Sequence, residues 1–441
     1  MHSRTVRASL LASAGIILSA GGASAQLSTL TSGTAAALPA TTPPADLWHR
    51  KLASGDWYGG RTKLKNDGIT INAFYTGEFA DAFAGGKRTG NGIASQFGLG
   101  ADADLGKIIG LQGGLLHVMF NQRVGRNVST DDIGNKLAVQ EVYGAGETLR
   151  LVEMSYEQSW AGKTVSTKIG FYPMGNDFAI TPLLAAFQNV GFCVHPQNMP
   201  NSSGWSDSPT AKWGGRIKFL PAPDVYVMTG VFDSNPTYGT KQHGLKTSLS
   251  GSTGALIPLE VGVTTAFGDA DMPGHYKAGV YYDTSTAADA AIAKQMDTGR
   301  YGGYLLADQM VVSFNGTPKR GLIAFAQVSY SDPRTAVFES TLDAGLIAEG
   351  PLAARPADFL AFGYVRAGLN NRVVNAKEIA SHGAVTDLSE GEGALELGYG
   401  VQVTPWLLVH PDVQYITDPG TFVYKHISNA WAFGVQTKVV F

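Results

Sequence analysis

Apolar and polar residues alternate with period two through most of the chain, and the run from Ala430 to Phe441 shows the pattern without a break. Trp431, Phe433, Val435, Val439 and Phe441 share one face with Thr437; Ala430, Ala432, Gly434, Gln436 and Lys438 share the other with Val440. Side chains repeating every second residue belong to a β-strand. Upstream, Ile69, Ile71, Ala73, Tyr75 and Phe79 oppose Thr70, Asn72, Thr76 and Glu78; Val152, Met154 and Tyr156 oppose Glu153, Ser155 and Glu157; Val165, Ile169 and Phe171 oppose Ser166 and Lys168. Ala211, Trp213, Ile217 and Phe219 oppose Lys212, Arg216 and Lys218, and near the end Leu395 to Val403 and Val409 to Tyr415 oppose Glu396, His410, Asp412 and Gln414. Charge keeps to one face.

These stripes suit either a soluble sandwich or a membrane barrel. Connection lengths favour the barrel. About sixteen strands are predicted, beginning near residues 69, 92, 113, 148, 164, 211, 224, 259, 275, 308, 321, 337, 357, 392, 406 and 430. Links such as Gly162 to Lys163, Leu220 to Pro223 and Thr404 to Pro405 are short, whereas Val124 to Glu147, Met174 to Thr210, Asp233 to Pro258, Asp283 to Ala307 and Asn370 to Gly391 are long. Short turns at one rim and long loops at the other are a transmembrane barrel's pattern; the short link Ser331 to Ala336 breaks it. Lipid offers no hydrogen bonds, so a sheet there must close on itself. About sixteen strands enclose a water-filled lumen. The expected fold is therefore an all-β antiparallel barrel over residues 68–441, with both chain ends on the short-turn, periplasmic side.

The N-terminus supplies the compartment. Arg4 and Arg7, the apolar run Ala8 to Ala20 and Ala23-Ser24-Ala25 predict a signal peptide, residues 1–25, cleaved after Ala25. Residues 26–46 read as a flexible leader and 47–67 as a periplasmic segment with a short helix at Arg61 to Lys65. Removing two arginines and no acid leaves 31 basic against 36 acidic residues, a formal charge of −5, which argues against nucleic-acid binding. One cysteine, Cys193, excludes an intramolecular disulfide and reads as a small buried residue. The 55 glycines with 20 Phe and 17 Tyr suit aromatic strands bent at glycines better than helical packing. No zinc-protease, thiol-redox, nucleophile-elbow, phosphate-loop or calcium-loop motif is present, so no catalytic residue, metal or cofactor is expected. Asn127, Asn201 and Asn315 head Asn-x-Ser/Thr triplets that matter only in a glycosylating pathway.

Three stretches resemble the signatures of the carbohydrate-selective porin (OprB-type) family. They are Ser54-Gly-Asp-Trp-Tyr-Gly-Gly-Arg61 with Gly68-Ile-Thr-Ile and Tyr75-Thr-Gly-Glu78; Lys212-Trp-Gly-Gly-Arg216 through Tyr226 and Gly230 to Asn235-Pro236; and Pro273-Gly-His-Tyr-Lys-Ala-Gly with Tyr281-Tyr-Asp283. Tyr58 stands where the family pattern usually has glycine. The likeness runs from about residue 47 to Phe441, whose terminal aromatic also resembles the outer-membrane insertion signal read by the barrel-assembly machinery. It implies a sixteen-stranded outer-membrane pore, as a monomer or homotrimer among lipid and lipopolysaccharide, through which sugars diffuse. It assigns no individual sugar contact. The alternative reading is an exported soluble β-rich protein that binds or hydrolyses carbohydrate.

Face logic supplies the candidate sites. Glu78, Asp102, Asp104, Arg123, Glu153, Lys168, Lys212, Arg216, Lys218, Glu396, His410 and Asp412 are expected to line the pore, because a Lys or Arg turned to lipid at mid-membrane costs about 2 to 4 kcal/mol. Several of them could equally brace the wall by pairing with one another, and the mixed signs predict weak ion selectivity. The constriction is expected in residues 174–210, the longest connection and the third on the extracellular rim. Thr181 to Phe187 reads as a short apolar helical segment able to pack on the inner wall. Asp177, Gln188, Asn189, His195, Gln197, Asn198, Asn201, Trp205 and Asp207 offer hydroxyl partners and aromatic faces suited to a sugar ring. A surface loop that merely covers the barrel is the alternative for this segment.

Overall fold

A computed structural model describes residues 46–441 except 146, 317 and 383–385; the expected signal peptide and leader residues 26–45 lie outside the described residues. Among the described residues there are sixteen strands. They are β1 (Ile69–Ala84), β2 (Gly90–Asp104), β3 (Gly114–Gly125), β4 (Leu149–Trp160), β5 (Val165–Tyr172), β6 (Lys212–Ala222), β7 (Val225–Asp233) and β8 (Ala255–Phe267). The ring continues with β9 (Met272–Ala288), β10 (Met296–Ser313), β11 (Gly321–Ser331), β12 (Phe338–Glu349), β13 (Phe359–Leu369), β14 (Gly391–Thr404), β15 (Leu407–Thr417) and β16 (Ala430–Val440). Each pairs with its sequence neighbours, and β16 pairs antiparallel with β1, Tyr75 opposite Val439 and Glu78 opposite Gln436, so the sheet closes.

Alternation puts one stripe outside. Leu99, Phe120, Ile169, Ile217, Leu259, Leu305, Leu342, Leu397 and Phe433 are exposed on this face, as lipid contact requires. The last residue belongs to the same seam: the Phe441 N–H bonds to the Ala73 carbonyl at 2.9 Å, and its ring meets that of Phe97. Below the seam lies the short helix α1 (Gly60–Asn66), with Ala53 N–H on Val440 O and Trp406 Nε1 on Leu47 O tying the preceding segment to the barrel. Tyr58, just before it, sits fully exposed at φ 55°, the left-handed region that glycine enters at no steric cost.

The packed core is not between two sheets but inside the ring. The second extracellular loop, residues 126–148, and the third, residues 173–211, fold inward. Val128, Ile133, Leu137 and Val139 of one loop and Leu184, Phe187 and Phe192 of the other form a single apolar cluster with Phe325, Ile347, Val365 and Ile416 of the wall. A second cluster joins Met174, Phe178, Met199 and Trp205 to Tyr172, Phe232, Leu256, Tyr281 and Tyr304.

Three expectations differ from the structure. Val152, assigned to the lipid face, is buried with Phe74 and Met119, because the β3/β4 register slips there: Met119 faces Glu153 and Phe120 faces Leu151, leaving Val152 in a bulge that turns it inward. The long link from Asp283 to Ala307 is mostly hairpin. β9 and β10 continue to Ala288 and from Met296, with outward Thr284 and Thr286, so the hydrogen-bond ladder outlives the hydropathy alternation. Residues 371–380 form a helix, α4 (Asn371–Ala380), capped by the Asn370 side chain on Arg372 N–H, where only a loop was expected.

Candidate permeation site

The third loop leaves β5 at Pro173 and returns at Lys212, almost wholly buried on the way. Its backbone polar groups therefore need partners inside the barrel, and the inward face of the wall supplies them. Ala179 N–H donates to Glu260 on β8 at 2.6 Å, and Gly204 N–H to Asp283 on β9 at 2.6 Å. Gln188 and Asn189 N–H donate to the two oxygens of Glu396 on β14 at 2.7 and 2.8 Å. Ammonium groups take its carbonyls, Lys212 that of Gly204 at 2.7 Å and Lys438 that of Ala185 at 2.8 Å, with Lys277 on Ile180. The second loop is fixed likewise, through Val142 N–H on Glu78 and Lys136 and Leu137 N–H on Glu392, and it touches the third through Glu141 N–H on Gln188 O. Glu78, Lys212, Lys277 and Asp283 all stand in the signature stretches named above. Those stretches mark where the infolded loops are held.

This geometry revises the candidate list. Glu78, Glu396, His410 and Asp412 do point inward, but all four are buried, and Glu78 and Glu396 bond to the infolded second and third loops, so they form a seam behind those loops. Lys212 is a loop clamp. Asp104 belongs to the periplasmic turn, where its carboxylate caps the helix α2 (Leu105–Ile109) through Gly106 and Lys107 N–H. Asp102, lower in the barrel, accepts from Asn72 and lies 2.7 Å from His117 Nδ1.

The loop's amides are pegs. Asn198, on the short helix α3 (Asn198–Ser202), donates to Ser331 Oγ and Glu339 O and accepts from Ser329 and Thr341 hydroxyls. Asn189 spends its amide on Gln414, Leu137 O and Gly191 N–H, and Gln188 donates to Phe79 O and Val139 O. Gln197 is buried against His195 O, Asn201 is exposed at the end of α3, and Trp205 packs edge-on to Tyr281 and Tyr304. Asn189 and Asn198, filled at both nitrogen and oxygen, have nothing left for a sugar hydroxyl, whereas Gln188 keeps a buried Oε1 without a partner.

A second group of charges lies along β4–β6, where Glu157, Asp177 and Lys218 keep part of their surface exposed while Glu153, Lys168 and Arg216 are buried behind them. Lys168 pairs with Glu153 at 2.8 Å; Arg216 pairs with Glu157 at 2.7 Å and reaches Asp177 of the third loop at 3.4 Å; Lys218 stands over the Tyr226 ring at 4.1 Å. Burial alone would raise the Asp177 carboxyl, but Lys168, Arg216 and Lys218 outweigh it and hold the group below its usual value, so it is charged. Above this ladder Arg123 donates to Gln96 at 2.7 Å, within electrostatic reach of Glu141, Asp207 and Cys193. Asp207 lies 3.6 Å from His195 Nε2, with a quarter of its side chain exposed. Burial, then Glu141 and Asp207, push the Cys193 thiol well up, which leaves it a neutral thiol. Arg123, Glu153, Lys168, Arg216, Lys218, Asp177, His195 and Asp207 are thus the expected residues that the fold gathers along β3–β6. Glu157 and Glu141 were missed. Glu157 shares the polar stripe of Glu153 and was visible there; Glu141 carries no local signal, since only the inward fold of its loop brings it beside Arg123.

The profile of the carbohydrate-selective porin, OprB family, matches residues 89–441. Porin B of Pseudomonas aeruginosa is 34% identical over 422 residues, 89% of this chain and 91% of that protein. The putative porin QuiX of Acinetobacter baylyi is 28% identical over 420 residues, 90% of this chain and 95% of that one. Among solved structures, the high-pH structure of Pseudomonas putida OprB superimposes with a TM-score of 0.85 at 31% identity, covering 90% of this chain and all of that one. The low-pH structure of the same protein gives 0.60 at 26% identity, over 89% and 99%.

Proposed function

The chain belongs to the carbohydrate-selective porin family, and from that premise we propose that neutral monosaccharides, small oligosaccharides and polyols diffuse through its lumen past a filter made by residues 174–210. It is a sugar-selective porin of the Gram-negative outer membrane. The finer reading rests on one observation: Asp177, carried by the third loop, stands among Lys168, Arg216 and Lys218 beside Glu153 and Glu157. Three cations and three anions sum to zero. A polyol crossing this ladder meets donors and acceptors in alternation but no net field, so hydroxyls trade water for fixed partners while an ion gains little. No covalent step or energy input enters this account.

The closed ring and the lipid-facing stripe leave a soluble carbohydrate-binding or hydrolytic protein without support. In this reading Phe441, at the β1/β16 seam, is the element that the barrel-assembly machinery reads, and the signal peptide directs export and is cleaved after Ala25. Liposome swelling with sugars of rising size tests the filter. Deleting residues 188–207 while the barrel stays folded should raise single-channel conductance and flatten the size dependence; unchanged conductance together with unchanged sugar uptake rejects the third loop as the filter.

A further inference from the structure

Behind the third loop, the side chains of Glu396 on β14 and His410 and Asp412 on β15 each bring one ligand-capable atom within 4.8 Å of the other two, all three buried. We propose that these residues bind one divalent transition-metal ion of the zinc type, which fastens the middle of the third loop, at Gln188 and Asn189, to the wall. Ligand atoms around such an ion stand about 3.4 Å apart, so side-chain rotations of about an ångström close the set.

Four features carry this beyond a cluster of acids. His410 is completely buried, yet neither ring nitrogen has a hydrogen-bond partner, and Asp412 Oδ2 has none either. Native interiors rarely leave polar atoms so. The neighbouring strands are shaped for these side chains: a Cβ on Gly398 would fall 2.1 Å from His410 Nε2, and one on Gly434 would fall 2.2 Å from Asp412 Oδ2. Carboxyl groups crowd here: Glu78, Glu396 and Asp412 are all buried, and the ammonium of Lys438 beside them is already spent on the Ala185 carbonyl. Finally, Gln436 sits directly opposite His410 in the sheet with its own Oε1 unpartnered, a fourth donor atom at hand.

The donor set selects the metal. One imidazole nitrogen with carboxylate oxygens suits zinc or manganese, whereas calcium prefers oxygen alone and copper(I) prefers sulfur. Glu396 would serve twice, since its oxygens already accept the Gln188 and Asn189 N–H groups and each keeps a lone pair. The ion would thereby fix the loop's position from behind, outside the permeation path.

The test uses the full-length barrel in detergent, stripped with a chelator and titrated with zinc chloride. One equivalent per chain is expected, with about tenfold or weaker affinity in His410→Gln and Asp412→Asn, both checked for folding by heat-modifiable gel mobility. If neither variant folds, cobalt(II) added to the native protein decides, through visible ligand-field bands of a histidine–carboxylate site that excess zinc abolishes. Native protein that takes up no stoichiometric ion, takes up as much as His410→Gln, or shows no cobalt bands overturns the proposal, and the patch then lowers its charge by holding protons.

Discussion

Replacing Asp177 by Asn leaves the size and hydrogen-bonding reach of the side chain almost unchanged and removes one charge from the ladder. The six groups that balance in the native protein, Lys168, Arg216 and Lys218 against Glu153, Glu157 and Asp177, are left with a net charge of +1. A unit charge about 4 Å from a permeating ion changes its energy by about 1 kcal/mol in water, a factor of about five in local concentration. Screening at physiological salt, with a Debye length of about 8 Å, trims this to roughly two- to fivefold. The potassium-to-chloride permeability ratio, read from the reversal potential across a planar bilayer under a salt gradient, should therefore fall by the square of that factor, about four- to twenty-fivefold, because potassium is depleted as chloride is enriched. Sugar-driven liposome swelling should change little, because an amide still offers a hydroxyl both a donor and an acceptor. A reversal potential equal to that of the native channel, in protein whose gel mobility shows a folded barrel, would mean that Asp177 does not face the permeation path and that the ladder only braces the wall.

Asn198→Ala removes the peg between α3 and strands β11 and β12, leaving the hydroxyls of Ser329, Ser331 and Thr341 short of a partner; at about 1 kcal/mol for each lost bond, the unfolding free energy should fall by about 2 to 4 kcal/mol, and single-channel recordings should grow noisier as the loop loosens. Tyr58→Gly relieves a left-handed non-glycine residue and should raise the unfolding temperature modestly, by up to about 1 kcal/mol in free energy after the entropic cost of glycine; a lowered temperature would refute the strain. In the loop after β9, burial alone would raise the Asp289 carboxyl, but the N–H groups of Ala291 and Ile292 and the Arg372 guanidinium bring it down to about 2. Because the folded value is below the ordinary value of 3.8, this clasp stabilises fully above pH 4 and is lost as pH falls toward 2, so hydrogen exchange in α4, corrected for intrinsic rate, should accelerate across that window and not in Asp289→Asn.

Strand identity, number and order were all present in the residues themselves, because side-chain alternation is a local property and lipid makes every strand declare an apolar face. The β16 stripe from Trp431 to Phe441 needed a first strand as partner, and β1 provides it in register. Where lipid stops, so does the signal: the upper halves of β9 and β10 carry Thr284 and Thr286 outward and read as loop, although their backbone ladder resumes beyond a bulge between Thr298 and Arg300. Val152 was misassigned because a bulge shifts the period by one residue, which no side-chain pattern announces. The inward polar stripe was legible, but not its division into channel wall and loop anchor. Glu396 and Lys168 look alike in sequence, each an inward charge opposite an apolar face. Only the tertiary structure decides that Glu396 spends its oxygens on Gln188 and Asn189, more than two hundred residues away, while Lys168 pairs with Glu153 beside Asp177. A period-two pattern records which side of the sheet a residue occupies; what covers that side depends on where two long loops find partners for their buried backbone, and those partners lie across the whole circumference of the barrel.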